Sequence, residues 1–138
     1  MASKVNIVIT QLAILVVSAN LLEACFLTTE YRVLIDLDLS LGFVYPLTIH
    51  CWSGNEDLGT HMMYLADGIT KYDWRFCENF IGKSVYTCEF WWNGKDKTFQ
   101  VFNSDTSDHD CAVESTCTWH VKKHGFYLNG NDRRSYKW

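Results

Sequence analysis

Alternation of apolar and polar side chains with a period of two residues dominates the chain beyond residue 30. In YRVLIDLDLS, one face of the segment would carry Val33, Ile35, Leu37 and Leu39, and the other Arg32, Asp36 and Asp38. Successive side chains of a strand point to opposite faces of a sheet, so this pattern predicts a half-buried strand. One side of the segment is therefore expected to line a core.

Further segments of this kind follow at short intervals, separated by turn residues. They are YPLTIHCW, THMMYLADG, KYDWRFCENF, SVYTCEFWW, TFQVF, CTWHVKK and GFYLNG. The clearest hairpin joins SVYTCEFWW to TFQVF through NGKDK, and large side chains on both of its faces predict a central position in a sheet. About eight short strands, with no helical stripe and no linker, predict one all-β domain, an antiparallel sandwich or barrel.

Length and charge set the class of protein and exclude one class of partner. The 138 residues suffice for a single domain with a real core. A net charge of -4, with 12 scattered lysines and arginines, argues against nucleic-acid binding, because neutralising phosphates requires clustered positive charge. We expect a monomer that binds no nucleic acid.

The N-terminus forms a separate, mostly aliphatic segment. Lys4 precedes the apolar run from Val5 to Val17, which is the pattern of a secretory signal peptide. Ala19 and Ala24 offer alternative cleavage positions, so residues 1–24 are predicted to be a signal peptide and residues 25–138 the mature domain. No later segment approaches the roughly 18 apolar residues that cross a bilayer. An extracellular protein is expected, and a buried N-terminal helix or strand is the other interpretation.

Cysteine usage agrees with export. The six cysteines stand at positions 25, 51, 77, 88, 111 and 117, and none forms a CxxC pair of zinc-ribbon spacing. Disulfides are therefore expected rather than metal thiolates, and no metal or cofactor is expected. Because six cysteines allow many pairings, their spacing alone does not assign the bridges.

The stretch IHCWSGNEDLG, Ile49 to Gly59, carries residue types that could form a catalytic or metal site. A hydrolase would need a histidine near a nucleophile and oriented by a carboxylate, and the chain has neither a GxSxG nor an HExxH motif. Glu56 and Asp57 are adjacent and would point to opposite faces of a strand, so they are interpreted as turn acids. No catalytic residue is predicted.

Three other groups have a functional and a structural interpretation. The loop DTSDHD offers oxygen ligands for calcium but lacks the EF-hand spacing, and a solvated loop is favoured. A ribonuclease-like set of His120, His124 and Lys122 is conjecture, and histidines on strand faces or turns are the simpler interpretation. The run FWW, with Trp119 nearby, could stack on sugar rings, but core packing is favoured because tryptophan commonly fills sandwich interiors.

Five blocks, taken in order, resemble the plant self-incompatibility S-protein family, also called the S-protein homologues. They are LTIHCWSGNEDLG, YDWRF, YTCEFWW, FQVF and CAVESTCTWHVKKHGFY. Each block is a weak signal, but the ordered set, spread between residues 30 and 128, is specific. The resemblance implies a small secreted plant protein with a disulfide-stapled β-sandwich fold and no enzymatic activity.

The resemblance also implies which cysteines are paired. The four family positions would pair as Cys51 with Cys117 and Cys88 with Cys111. Cys77 lies where the family usually has another residue, which leaves it free or bonded to Cys25. Asp36 stands where an asparagine is commoner, which concerns only local turn chemistry.

In function, the resemblance implies a non-enzymatic signalling ligand. Such a ligand would act in pollen–pistil or other cell–cell recognition through a plasma-membrane receptor of a recipient plant cell. A secreted carbohydrate-binding module is the alternative, and a small secreted hydrolase is a third possibility. The first two differ in whether Trp91, Trp92 and Trp119 are buried or form an exposed flat surface.

A ligand of this kind would be recognised through exposed loops on a rigid scaffold. The expected loops run from Asn93 to Lys97 and from Asn103 to Asp110. Their candidate recognition residues are Asn93, Lys95, Asp96, Lys97, Asp105, Asp108 and Asp110.

Overall fold

The computed structural model describes residues 2–22, 25–38, 44–111, 113–129 and 131–138. Two helices lie in these ranges, α1 (Ala2–Leu22) and the short α2 (Ser107–Asp110). The strands are β1 (Glu30–Leu37), β2 (Leu47–Ser53), β3 (Asp57–Met63), β4 (Lys71–Cys77), β5 (Val85–Trp92), β6 (Lys95–Asn103), β7 (Thr116–Lys122), β8 (Gly125–Leu128) and β9 (Asn131–Lys137). A 3-10 turn, Leu65–Asp67, precedes β4.

The strands form two sheets, which confirms the predicted all-β class. The first sheet has the order β4-β1-β7-β8-β9 and the second the order β3-β2-β5-β6. One pairing differs from the predicted antiparallel arrangement, since β1 and β7 run parallel while the other pairings are antiparallel. The long chain between β1 and β7 permits either direction, and alternation within a strand carries no information about its neighbour.

Strand β9 is an addition to the predicted segments. Its sequence NDRRSYK has no apolar alternation, and it extends the first sheet by pairing with β8. Tyr136 of β9 stacks on Phe99 of β6, with ring centroids 4.3 Å apart, and so covers one open side between the sheets. Hydrogen bonding to an existing sheet edge, rather than its own pattern, makes this segment a strand.

The core lies between the inner faces of the two sheets. The predicted alternation of β1 is confirmed, because Val33, Ile35 and Leu37 are fully buried while Asp36 faces outward; Leu39 lies outside the described residues. Trp119 of β7 is buried, and its Nε1 donates a hydrogen bond of 2.9 Å to the carbonyl of Val101 in β6. This bond links the two sheets and satisfies a polar group that burial would otherwise penalise.

The β5–β6 hairpin occupies only partly the central position predicted for it. Strand β5 lies inside its sheet, between β2 and β6, whereas β6 is an edge strand. Strand β6 buries Phe99 and Val101 on one face and exposes the polar Thr98 and Gln100 on the other. The large side chains on both faces therefore belong to β5, the strand that has two neighbours.

Helix α1 contributes no described side chain to this core. The side chains of residues 3–14 are all exposed, including those of Val5, Ile9 and Ile14. Within the described part of the chain, no helix combines the length and apolarity that crossing a bilayer requires. Of the two predicted cleavage positions, Ala19 lies within α1 and Ala24 lies outside the described residues.

Candidate functional site

The stretch IHCWSGNEDLG forms the end of β2 and the turn into β3, as the turn interpretation predicted. The hydroxyl of Ser53 accepts hydrogen bonds from the backbone N–H groups of Asn55 and Glu56, both 3.3 Å long. The N–H of Ser53 donates to the carbonyl of Glu56 across the turn, 2.8 Å. These contacts hold the turn closed, so its polar residues have structural roles.

The two adjacent acids of this turn have different partners. Asp57 accepts hydrogen bonds from the backbone N–H of Gly59 and from His50 Nε2, each 2.8 Å long, and these bonds lower the pKa of its carboxyl. Glu56 accepts a hydrogen bond from the hydroxyl of Tyr86. Burial, together with this carboxylate, raises the pKa of Tyr86. The acids do not form a paired acid–base unit.

The disulfide pairing implied by the resemblance is wrong, although all four cysteines are bonded. Cys51 is bonded to Cys88, and Cys111 to Cys117. Cys51 and Cys88 face each other in register on neighbouring strands β2 and β5, with Cα atoms 4.1 Å apart, within reach of a bridge. Cys117 lies in the other sheet. Each of these two bridges therefore joins segments adjacent in the fold, not the outer and inner pairs.

The third disulfide joins Cys25 to Cys77, the additional pair that was left open. Cys77 ends the edge strand β4, so the bridge attaches the segment before β1 to the edge of the first sheet. The described cysteines include no free thiol. A cut after Ala19 or after Ala24 would leave this bridge intact.

The first predicted recognition loop is shorter than expected. Only Asn93 and Gly94 form the turn between β5 and β6, both with positive φ angles of 48° and 74°. Lys95, Asp96 and Lys97 belong to β6, where they pair with Trp92, Trp91 and Phe90. The turn and the first two strand residues are exposed, so this tip still presents both signs of charge to solvent.

The second predicted loop is a structured corner that includes α2. Ser107 is buried and its hydroxyl donates a hydrogen bond of 3.1 Å to the Tyr31 hydroxyl. Asp105 pairs with Lys83, and Asp110 with Arg134. Of the three candidate acids here, Asp108 alone is exposed without a side-chain hydrogen bond or ion pair to any described residue.

The structure does not bring the two predicted loops together. They lie at opposite ends of β6, which has nine residues and spans roughly 27 Å at the usual rise per residue. One small contact surface cannot include both, so the fold offers two separate candidate sites rather than one.

Among the residues that the structure describes, the histidines and acids form no cluster arranged for metal or acid–base chemistry. His120 Nδ1 lies 3.6 Å from Asp36 on the outer face of the first sheet. His61 Nε2 donates a hydrogen bond to the carbonyl of Leu58. Among the described residues, no three side chains of His, Cys, Asp or Glu lie close enough to hold a metal ion.

The tryptophans largely follow the core-packing interpretation. Trp119 and Trp92 are buried, with 1% and 7% of their surface exposed, whereas Trp91 is 36% exposed on the outer face of the second sheet. The three rings therefore do not form one flat exposed surface. Trp91 is the member of the set that solvent can reach.

Two surface cavities lie at opposite ends of the sandwich. One, of about 470 Å³, lies beside the β2–β3 turn and is lined by Glu56, Phe76, Lys83 and Tyr86 among others. The other, of about 420 Å³, lies at the β5–β6 turn and is lined by Tyr45, Pro46, Thr48, Trp91, Trp92, Asn93, Gly94, Lys95 and Asp96. We call the second the hairpin groove.

A comparison with protein families identifies this disulfide-bonded sandwich. The sequence model described as plant self-incompatibility protein S1 matches residues 34–138, which include every strand except part of β1. The chain belongs to this family. The match extends beyond residue 128, where the recognised blocks end, and so includes β9.

The individual S1-family members that match the chain share about a third or less of its residues in the aligned region. S-protein homolog 5 of Arabidopsis thaliana is 28% identical over 93 residues, which is 67% of this chain and 68% of the relative. S-protein homolog 27 of the same species is 34% identical over 94 residues, 68% of this chain and 59% of the relative. Among the relatives compared, the match spans between 55% and 71% of their own length. No solved structure matches the chain.

Two features of this S1-family chain were not predicted from its sequence. The His50–Asp57 hydrogen bond could have been anticipated from the short hairpin, since both residues flank the same turn. The hairpin groove could not, because Tyr45 and Trp91 come to line one groove only through the pairing of β2 with β5, in which Thr48 lies opposite Trp91.

Proposed function

We propose that the protein is a secreted, non-enzymatic signalling ligand that a plasma-membrane receptor of a recipient plant cell recognises. Membership of the S1 family supports a self-incompatibility-like protein, and three disulfides support an oxidising, extracellular environment. The observation that carries the proposal is the exposed, charged β5–β6 tip on this stapled frame.

Export is supported by the N-terminal helix. The apolar side chains of α1 between residues 3 and 14 are exposed. A helix of this kind lowers its free energy by entering a membrane or a translocation channel, not by packing on the domain. We propose that α1 is the hydrophobic part of a signal peptide and is removed. The Cys25–Cys77 bridge then fixes the new N-terminal segment to β4.

A rigid frame favours a ligand over a hydrolase. Charged side chains at the cavity of the β2–β3 turn are paired within the fold, Glu56 with Tyr86 and Lys83 with Asp105, so they are not arranged to act on a substrate. The exposed tip is different. The backbone of a short two-residue turn is already fixed and loses little conformational entropy when a partner binds, which favours recognition.

The test is binding of the full chain, secreted from a eukaryotic host, to plasma-membrane vesicles from plant reproductive and vegetative tissue. Lys97→Glu changes the partly exposed strand residue next to the tip, Asp108→Lys changes the α2 corner, and Lys123→Glu changes an exposed lysine of the β7–β8 turn as a control. We expect saturable binding that protease treatment of the vesicles abolishes. Lys97→Glu should weaken it by about tenfold or more, as central interface residues do, and Lys123→Glu should not.

Two results would contradict the receptor proposal. One is binding that survives protease but disappears when membrane glycans are removed. The other is equal affinity of all three variants and the unchanged chain. If Asp108→Lys alone weakens binding, the α2 corner rather than the hairpin tip is the contact, and the assignment of the site is wrong.

A further inference from the structure

The hairpin groove combines exposed aromatic rings with polar side chains at one end of the second sheet. Tyr45 is 54% exposed and Trp91 is 36% exposed, and both line the same depression. The face of an aromatic ring is electron-rich, whereas the C–H groups on one face of a sugar ring are apolar and slightly positive, so the two pack favourably. Exposed rings in one groove suit such a ligand.

The polar side chains of the groove have unused hydrogen-bonding capacity. Thr48, Asn93 and Asp96 form no side-chain hydrogen bond or ion pair with any described residue. Lys95 Nζ lies 5.5 Å from the centroid of the Trp92 ring and has no carboxylate partner within the described part of the chain. The cavity at the β2–β3 turn differs, because its charged side chains are already paired.

The charges of the groove select against strongly charged ligands. Lys95 and Asp96 are adjacent and of opposite sign, and the remaining lining side chains are neutral. An acidic ligand would meet Asp96 and a basic ligand Lys95, whereas hydroxyl groups can donate to the carboxylate and accept from the ammonium group. The balance of charge therefore favours a neutral ligand rich in hydroxyls.

We propose that the hairpin groove binds a neutral oligosaccharide, a segment of a linear polysaccharide chain. Trp91 and Tyr45 pack against sugar rings, while Asn93, Lys95 and Asp96 form hydrogen bonds with hydroxyl groups. The depression of about 420 Å³ is shallow and open, which suits a stretch of chain lying across it more than a single enclosed sugar. The groove shares the β5–β6 turn with the proposed receptor contact. The two proposals are tested separately, because purified oligosaccharides contain no receptor and the altered rings do not include Lys97.

The test uses the full secreted chain and purified linear hexasaccharides of β-1,4-linked glucose, mannose and xylose. An acidic hexamer of galacturonic acid and a released high-mannose N-glycan complete the set. Binding is measured by calorimetry and by quenching of tryptophan fluorescence. Trp91→Ala and Tyr45→Ala remove one ring each, and Trp52→Ala is the matched control. Trp52 lies on the same sheet face, beside His50, but does not line the groove.

We expect at least one neutral linear hexasaccharide to bind, and each groove variant to weaken that binding by about tenfold, the scale of one lost stacking contact. Trp52→Ala should keep the original affinity, and circular dichroism should show all three variants folded. The proposal is overturned if no linear neutral hexasaccharide binds, if only the acidic hexamer or only the N-glycan binds, or if Trp52→Ala weakens binding as much as Trp91→Ala.

Discussion

His50 and Asp57 are joined by a hydrogen bond of 2.8 Å between Nε2 and Oδ1, across the short hairpin that links β2 to β3. Asp57 also accepts the backbone N–H of Gly59, which has a φ angle of 77°. The histidine of the most recognisable motif of the chain therefore helps to hold a turn. The pairing of β2 with β3 also contains a shift of register, a β-bulge, between His50 and Trp52.

The His50–Asp57 pair makes the stability of the fold depend on pH in the acidic range. Hydrogen bonds from Gly59 and His50 lower the pKa of Asp57, so their contribution to stability is present above the usual aspartate pKa of 3.8 and is lost as pH falls through the lower folded value. We expect Asp57→Asn to reduce the fall of the urea midpoint between about pH 5 and about pH 2, the range in which carboxyl groups ordinarily titrate. Asn55→Ala, in the same turn, removes no carboxylate and should keep the original slope. An unchanged slope in Asp57→Asn would contradict the assignment.

Tyr86 makes the stability of the fold depend on pH in the alkaline range, and here stability is lost as pH rises. Burial and the Glu56 carboxylate raise its pKa, so its contribution is fully present below the ordinary value of 10.0 and is lost as pH rises through the raised folded value. Tyr86→Phe should cost about 1 kcal/mol at pH 7, from the lost hydrogen bond, and should flatten the alkaline fall. Glu56→Gln removes the charge but not the burial, so its alkaline fall should be intermediate. Urea titrations above about pH 9 measure this order, and a steeper fall in Tyr86→Phe would refute it.

The disulfide map can be read from a tryptic digest of the non-reduced protein. Cys111 and Cys117 lie in one tryptic peptide, 98–122, whereas Cys51 and Cys88 lie in peptides 33–71 and 84–95. The structure therefore predicts an intact peptide 98–122 that is two hydrogens lighter, and a separate species that joins the other two peptides. A single species that joins all three would restore the outer and inner pairing.

The bridges should also differ in their effect on stability. The loops closed by Cys51–Cys88 and Cys111–Cys117 have sequence separations of 37 and 6. In the chain-entropy model, removing them costs about 4 and about 2 kcal/mol respectively. Paired cysteine-to-alanine variants, unfolded in urea, measure this order. Equal losses would show that packing around the buried sulfurs, not loop length, controls the effect.

Gly125 permits the close approach of β8 and β9. A side-chain Cβ at this position would collide with the backbone carbonyl of Tyr136, which cannot move without displacing β9. We expect Gly125→Ala to destabilise the fold by about 1–3 kcal/mol, the usual cost of inserting an atom into a packed region. Gly54→Ala is the control, because a Cβ there meets nothing within 4 Å. Thermal unfolding of both variants tests this, and similar midpoints would contradict it.

Several elements could be predicted because their pattern is local. The alternation of Val33, Ile35 and Leu37 located β1, and that of Tyr72, Trp74 and Phe76 located the half-buried face of β4. Asn93–Gly94 located a hairpin turn, since these two residue types tolerate positive φ angles. Each inference needed only neighbouring residues along the chain.

Other features could not be predicted because they depend on residues far apart in sequence. The resemblance supplied the right cysteines but the wrong partners, since pairing follows the register of β2 with β5. The loop from Asn103 to Asp110 looked open, yet Lys83 and Arg134 neutralise two of its acids. Neither partner is recognisable in the loop sequence itself.

The sequence by itself determined the all-β class, most strands, the turns and the family, because burying one side of a strand imposes a two-residue period. Only the tertiary structure decided the parallel contact of β1 with β7, the addition of β9, the three bridges and the groove between Tyr45 and Trp91. A period identifies which face of a strand is buried but not which strand lies beside it. That choice is made by the packing of the whole chain, and the candidate sites follow from it.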